Sequence, residues 1–230
     1  MRRLSMALLT ATSVLVGSTG TAVALAQTGC ADLGGTIDPD QTCRGHVTNP
    51  TYTLDFSFPV DYPDEQAVTS YLTQTRDGFV NVAEMPGSRN LPYELDATAT
   101  GYRSGVAPGG TRSVVLKIFQ DVGGAHPQTW YKAFNYDVGK GAPITFDGMF
   151  NQAANPLDVI FPIVEQDLRR QSGLDRAVLP GQGLDASRYQ NFAITDDSVI
   201  FFFGQGELLP EAAGAIQAAV PRSALSAVLA

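Results

Sequence analysis

Histidine and cysteine are scarce, two of each in 230 residues, and there is a single tryptophan. Zinc or another N/S-ligated metal needs three or four such ligands close together. Cys30 and Cys43 have only His46 near them, so no metal site and no cofactor are expected. Basic residues are also in deficit, 15 against 23 acidic ones. That balance leaves no basic patch to follow a phosphate backbone and excludes nucleic acid as a partner class. Internal repeats and low-complexity linkers are absent, as is the G-x-S-x-G pattern of a serine nucleophile. "GYRSG" around Ser104 has the wrong spacing, and "APGG" and "GQG" lack the lysine context of a phosphate loop.

What is present starts with a leader. Arg2 and Arg3 precede an apolar Leu4–Val16 stretch, and small residues lead to Ala24-Leu25-Ala26, an A-x-A cleavage pattern. Ser13, Gly17, Ser18, Thr19, Gly20 and Thr21 interrupt the stretch and make it a poor spanning helix. Residues 1–26 therefore read as a signal peptide, with 27–230 as one secreted domain. Two lobes meeting near Gly109-Gly110 are the alternative. Without Arg2 and Arg3 the basic count falls to 13 and the balance to −10. In an exported chain two cysteines are expected to pair. A Cys30–Cys43 bridge would close the Gly-, Asp- and Pro-rich loop "CADLGGTIDPDQTC", worth roughly 3 kcal/mol in the chain-entropy picture.

Downstream, apolar periodicity alternates between two and about 3.6. Tyr52, Leu54, Phe56 and Phe58 alternate with polar residues, as in a half-buried strand. Val68, Tyr71, Leu72, Thr75, Phe79 and Val82 recur at helical spacing, ended by Pro86-Gly87. Strands follow at "LPYELDATATGYRSG", "RSVVLKIFQDV" and "QTWYKAFNYDVG", the last two joined through Gly123-Gly124 as an antiparallel hairpin. "GKGAPITFDGMF" reads as a turn, a short strand and a helical start. Leu157, Ile160, Phe161, Val164 and Leu168 mark a second helix, kinked or started by Pro162 and capped by Gly173. Two strands flank Asp196-Asp197, another covers "AIQAAVP", and "RSALSAVLA" is a last short helix with Leu225, Val228 and Leu229 inward. The class is α+β: mostly antiparallel sheet with two longer helices and a short C-terminal one.

Catalytic chemistry has little to draw on. His126 precedes Pro127 in the "GGAHP" turn, and the residue before proline is held extended. Glu207 and Glu211 read as loop-shaping residues and Asp196-Asp197 as turn residues. The aromatic strand that follows carries Trp130, Phe134 and Tyr136 on one face and Tyr131 on the other. Tryptophan and tyrosine dominate interface hot spots, so His126, Trp130 and Tyr131 are the candidate binding residues. No catalytic residue is assigned.

Laid end to end, "NPTYTLDFSFPVDYPDEQ", "YLTQTRDGF", "PYELDATATGYRSG", "VVLKIFQDVGGAHPQTWYKAF", "VIFPIVEQDL" and "YQNFAITDDSVIFFFGQGELLPEAAG" resemble the secreted immunogenic antigens of mycobacteria, the MPT/MPB type. Order and spacing match from about Cys30 onward. The C-terminal half, through "FNYDVGKGAPITFDGMF" and "FFFGQGELLPEAAG", also resembles the extracytoplasmic domain of unknown function found in the anti-sigma factor RsiV. Pro127 departs from the glycine that some members of that class carry after "GGAH". The resemblance implies a secreted α+β protein that binds an extracellular or host protein, or a cell-envelope component, without established catalytic residues. The alternative is an esterase-type hydrolase whose nucleophile no motif marks.

Overall fold

In the computed structural model, residues 29–230 are described, apart from 125, 174–177 and 179; the leader expected at 1–26 lies outside the described residues. Among the described residues ten strands fall into two sheets. The larger holds β1 (Gly35–Ile37), β2 (Thr42–Asn49), β3 (Tyr52–Pro59), β4 (Tyr93–Ser104), β5 (Thr111–Asp121), β6 (Gln128–Asp137) and β7 (Ala142–Pro143), in that spatial order. All neighbours are antiparallel except β3 and β4, which run parallel from Tyr52↔Tyr93 to Ser57↔Thr98. A parallel pair needs a crossover, and helix α1 (Glu65–Ala83) supplies it. Pro63 and acidic Glu65 suit its first turn, and Gly87, at φ +89°, lets the chain turn away after it.

α1 buries Val68, Leu72 and Phe79 on one face of this sheet, against Leu54, Phe56, Phe58, Leu95, Val114, Leu116 and Ile118. Each such side chain, fully buried, is worth roughly 1.5–3 kcal/mol. Val82, expected inward, is exposed. The Cys30–Cys43 bridge is formed, with Cα atoms 5.7 Å apart. Both cysteines and Leu33 are buried within the same core, so the bridge fastens the core itself as well as the polar loop it closes.

The smaller sheet, β8 (Phe192–Ile194), β9 (Ser198–Phe203) and β10 (Ile216–Pro221), packs on the opposite face of β4–β6. Phe202, Val115 and Ala193 fill the space between the sheets, with Tyr102, Tyr131, Ala133 and Ile200 around them. Hydrogen bonds tie the layers: Asn135 Nδ2 donates to the Phe192 carbonyl at 2.8 Å, and the Gly105 N–H to Asp196 Oδ1 at 2.7 Å. Beyond the small sheet lie α2 (Phe146–Met149), α3 (Pro156–Ser172), α4 (Pro180–Gly183) and α5 (Arg222–Leu225) over a second core of Phe146, Ile160, Val164, Tyr189, Phe201 and Phe203. α3 starts with Pro156 at its first turn, passes through Pro162 and ends at Gly173, φ +70°. The order of layers is helix, large sheet, small sheet, helices, an α+β architecture. Gly109 and Gly110 lie in the turn joining β4 to β5 within the large sheet. Among the described residues no helix is long and apolar enough to cross a membrane.

Candidate active site on the open sheet face

The β5–β6 hairpin turns at Gly123, whose φ is +66°; a Cβ there would lie 2.6 Å from the Arg89 carbonyl oxygen. His126 follows in the turn, exposed and without a hydrogen bond among the described residues. Trp130 is half-buried on the α1 side, where its indole N–H donates to the Tyr71 hydroxyl at 2.9 Å. Lys132 Nζ sits 5.7 Å from the Tyr71 ring centre and 5.5 Å from that of Phe134, a cation–π arrangement. Tyr131 points to the other face and packs 5.2 Å from the Phe202 ring. Burial pushes the Tyr131 phenol up, with a smaller contribution from Tyr102. The three side chains proposed from sequence thus occupy a turn and two opposite faces of one strand; they do not converge on one surface.

A different group does converge. β2 and β3 form a hairpin whose register sets His46 directly opposite Asp55. Alternation sends Leu54, Phe56 and Phe58 into the core, so Asp55 and Ser57 point out of the other face. The small sheet covers β4–β6, and this outer face of β2 and β3 stays open. His46 Nδ1 lies 2.8 Å from Asp55 Oδ1, and His46 Nε2 lies 3.0 Å from Thr48 Oγ1. An ionised carboxylate only accepts, so it pairs with Nδ1–H; a hydroxyl both donates and accepts, and the Nε2–Thr48 contact puts Oγ1 within hydrogen-bond reach of the second ring nitrogen.

Asp96 pairs in register with Asp55 on β4, and Thr98 donates to Asp96 at 3.0 Å. His46, Asp55, Asp96 and Thr98, with Arg44, Gly45, Phe56 and Ser57, line a cleft of about 450 Å³; Thr48 lies beside it. Arg44 is not a free cation within it: its guanidinium donates to Asp38 at 2.6 Å and to Asp40 at 3.2 Å. Those contacts hold the Arg44 pKa above its ordinary value and the Asp40 carboxyl below its own. The ordering hydroxyl, imidazole, carboxylate is the one that serves nucleophilic acyl transfer. Among the described residues no cluster of three or more His, Cys, Asp or Glu side chains is arranged to hold a metal ion.

The sequence reading passed over this group because it assigned no strand to 42–49. The signal was "HVTNPTYTLD": a hairpin turning at Asn49-Pro50-Thr51 brings His46 and Asp55 face to face.

Comparison with known proteins places the chain. Residues 147–223 match the family described as a protein of unknown function, DUF3298. A crystal structure of a DUF3298 family protein from Pseudomonas aeruginosa superposes with a TM-score of 0.55 at 14% identity, over 84% of this chain and 96% of that one, a likeness of fold. The chain is 58% identical over 219 residues to the esterase Rv3036c of Mycobacterium tuberculosis, covering 94% of this chain and 96% of that protein. It is 45% identical over 228 residues to the immunogenic protein MPB64 of Mycobacterium bovis, covering 99% and 100%. The same identity and coverage hold for the immunogenic protein MPT64 of Mycobacterium tuberculosis. By identity and by end-to-end coverage, this chain belongs to the family of the mycobacterial immunogenic proteins MPB64 and MPT64.

Proposed function

We propose that the chain is an exported hydrolase of carboxylic esters, acting on the open face of β2 and β3. The observation that carries this is the Thr48–His46–Asp55 relay, with contacts of 3.0 and 2.8 Å. The likeness to a protein named an esterase supports the same reading. Export is supported by the leader pattern at 1–26 and by the Cys30–Cys43 bridge.

In this mechanism Asp55 holds the Nδ1–H tautomer and stabilises the imidazolium that forms. His46 Nε2 removes the proton from Thr48 Oγ1 as that oxygen attacks the ester carbonyl. The same proton then passes to the departing alcohol, leaving an acyl-threonine. Water enters, gives its proton to His46 and releases the acid, restoring the hydroxyl. The cleft lined by His46, Asp55, Asp96 and Thr98 adjoins the relay on the side away from Thr48 and would receive one arm of the ester.

Hydrolysis of 4-nitrophenyl acetate and butyrate by the purified mature protein tests the assignment. His46→Ala is expected to lower kcat/KM by about 10²–10⁴, Thr48→Ala by a comparable factor, and Thr48→Ser to retain turnover. Full turnover in His46→Ala refutes the site. Loss in His46→Ala with full activity in Thr48→Ala would make the imidazole a base for water, with Thr48 a bystander. A wild type silent toward every ester would return the chain to the alternative role, binding an extracellular or host protein or an envelope component without chemistry.

A further inference from the structure

The parallel strands β3 and β4 stay paired only as far as Ser57↔Thr98. Past that point β3 follows β2 to the pair Thr42↔Pro59, while β4 follows β5 to Ser104↔Thr111. The two carboxyl ends diverge and a crevice of about 380 Å³ opens between them. A Cβ on Gly101, which lines it, would meet nothing within 4 Å, so the space is open.

Arginine gathers here. The chain carries a formal −8, yet Arg44, Arg103 and Arg112 line this crevice with Asp61 as the sole acid among the lining residues. Arg44 is taken up by two carboxylates, Asp38 and Asp40, and so offers no free charge. Arg103 and Arg112 sit directly opposite one another across β4 and β5, an unfavourable like-charge pair. One carboxylate answers both: Arg112 donates to Asp61 Oδ2 at 2.9 Å and to the Asp61 carbonyl at 2.6 Å, while Arg103 stays 3.8 Å from the same Oδ2. The Arg103 side chain is 72% exposed and has no closer partner among the described residues. One positive charge of the pair is left uncompensated, on a guanidinium whose planar fork fits carboxylate or phosphate oxygens.

We infer that this crevice is an anion subsite: Arg103, backed by Arg112, takes a carboxylate or phosphate group of a small ligand. Arg103 alternates in register with core-facing Leu95 and Ala97, and Arg112 with Val114 and Leu116, so both lie on the α1 face of the sheet, opposite the face that carries His46. The subsite itself stands on its own residues.

Isothermal titration of the mature protein with succinate, and separately with inorganic phosphate, tests the subsite and tells the two anions apart. Saturable binding of at least one is expected, weakened about tenfold in Arg103→Gln, the scale of one charged hydrogen bond, and unchanged in His46→Ala. Absence of binding by both anions, or equal binding by Arg103→Gln and wild type, overturns it. Arginine-dependent anion binding by a protein inert toward all esters would keep the crevice and sink the hydrolase reading. Ester turnover without anion binding would do the reverse.

Discussion

Phe202 is the test of how the two sheets are joined. It is 2% exposed and stands between them, 5.2 Å from the Tyr131 ring centre and 6.0 Å from that of Tyr102, with Val115 and Ala193 completing the fully buried set. Its neighbours Phe201 and Phe203 point the other way, into the second core. Truncation at Phe202 therefore empties the thinnest apolar layer in the molecule and touches neither main core. Large-to-small changes of this kind cost about 3–5 kcal/mol. The low end applies, because two half-buried tyrosines line the gap and can lean into it. A cost of ~3 kcal/mol corresponds to a drop in Tm of roughly 6–12 °C for a domain of this size. Urea denaturation of Phe202→Ala, followed by both tryptophan fluorescence and circular dichroism, measures it. Trp130 lies on the large sheet, so fluorescence reports that layer while circular dichroism reports all of them. Coincident transitions with a cost near 3 kcal/mol would show one cooperative unit. A cost under ~1 kcal/mol would refute the reasoning: the hydrogen bonds from Asn135, Gly105 and their neighbours would then be holding the sheets together.

Two further outcomes are expected. Gly123→Ala should cost about 1–3 kcal/mol in thermal melts, because φ is +66° and the new Cβ meets the Arg89 carbonyl at 2.6 Å; Gly124→Ala, with nothing within 4 Å, should change stability by ~0.5 kcal/mol or less, and equal costs at the two positions would refute this account of the turn. Burial raises the Glu65 carboxyl, and Oε1 has no hydrogen-bond partner among the described residues. A carboxyl raised in the folded state favours folding while protonated in both states and loses that contribution as pH rises through its folded value. Glu65→Gln should therefore raise Tm at pH 7 relative to wild type, and the gap should close below about pH 4; a gap that widens on acidification would reverse the assignment.

Much of the fold could be read from periodicity. β3, β5, β6, β9 and both long helices lie where alternation or helical spacing put them, because each has one strongly apolar face. β1 and β2 escaped for the converse reason. Across 35–49 only Ile37, Cys43 and Val47 are apolar side chains of any size, and pairing with β3 makes the strand. The candidate relay was lost with them, since His46 gains Asp55 only once β2 exists. Trp130 and Tyr131 show a different limit. Their opposite faces were legible, but a period of two does not say what covers each face, and both are covered: α1 lies over one and the small sheet over the other.

The match to the domain of unknown function ends at residue 223 and begins at 147, past the last strand of the large sheet. That segment holds the small sheet and most of its helices, the part of the molecule that acts as a lid on β4–β6. His46, Thr48, Asp55 and the arginine crevice all lie outside it. The shared segment and the proposed site are thus carried by different stretches of chain, and the two can change separately. A protein that inherits the covering segment on an unrelated run of β2–β3 residues would bear the same domain label with none of these side chains. Within this architecture, classification by the C-terminal segment sorts chains by how their sheet is roofed, and it is silent about what the uncovered strands do.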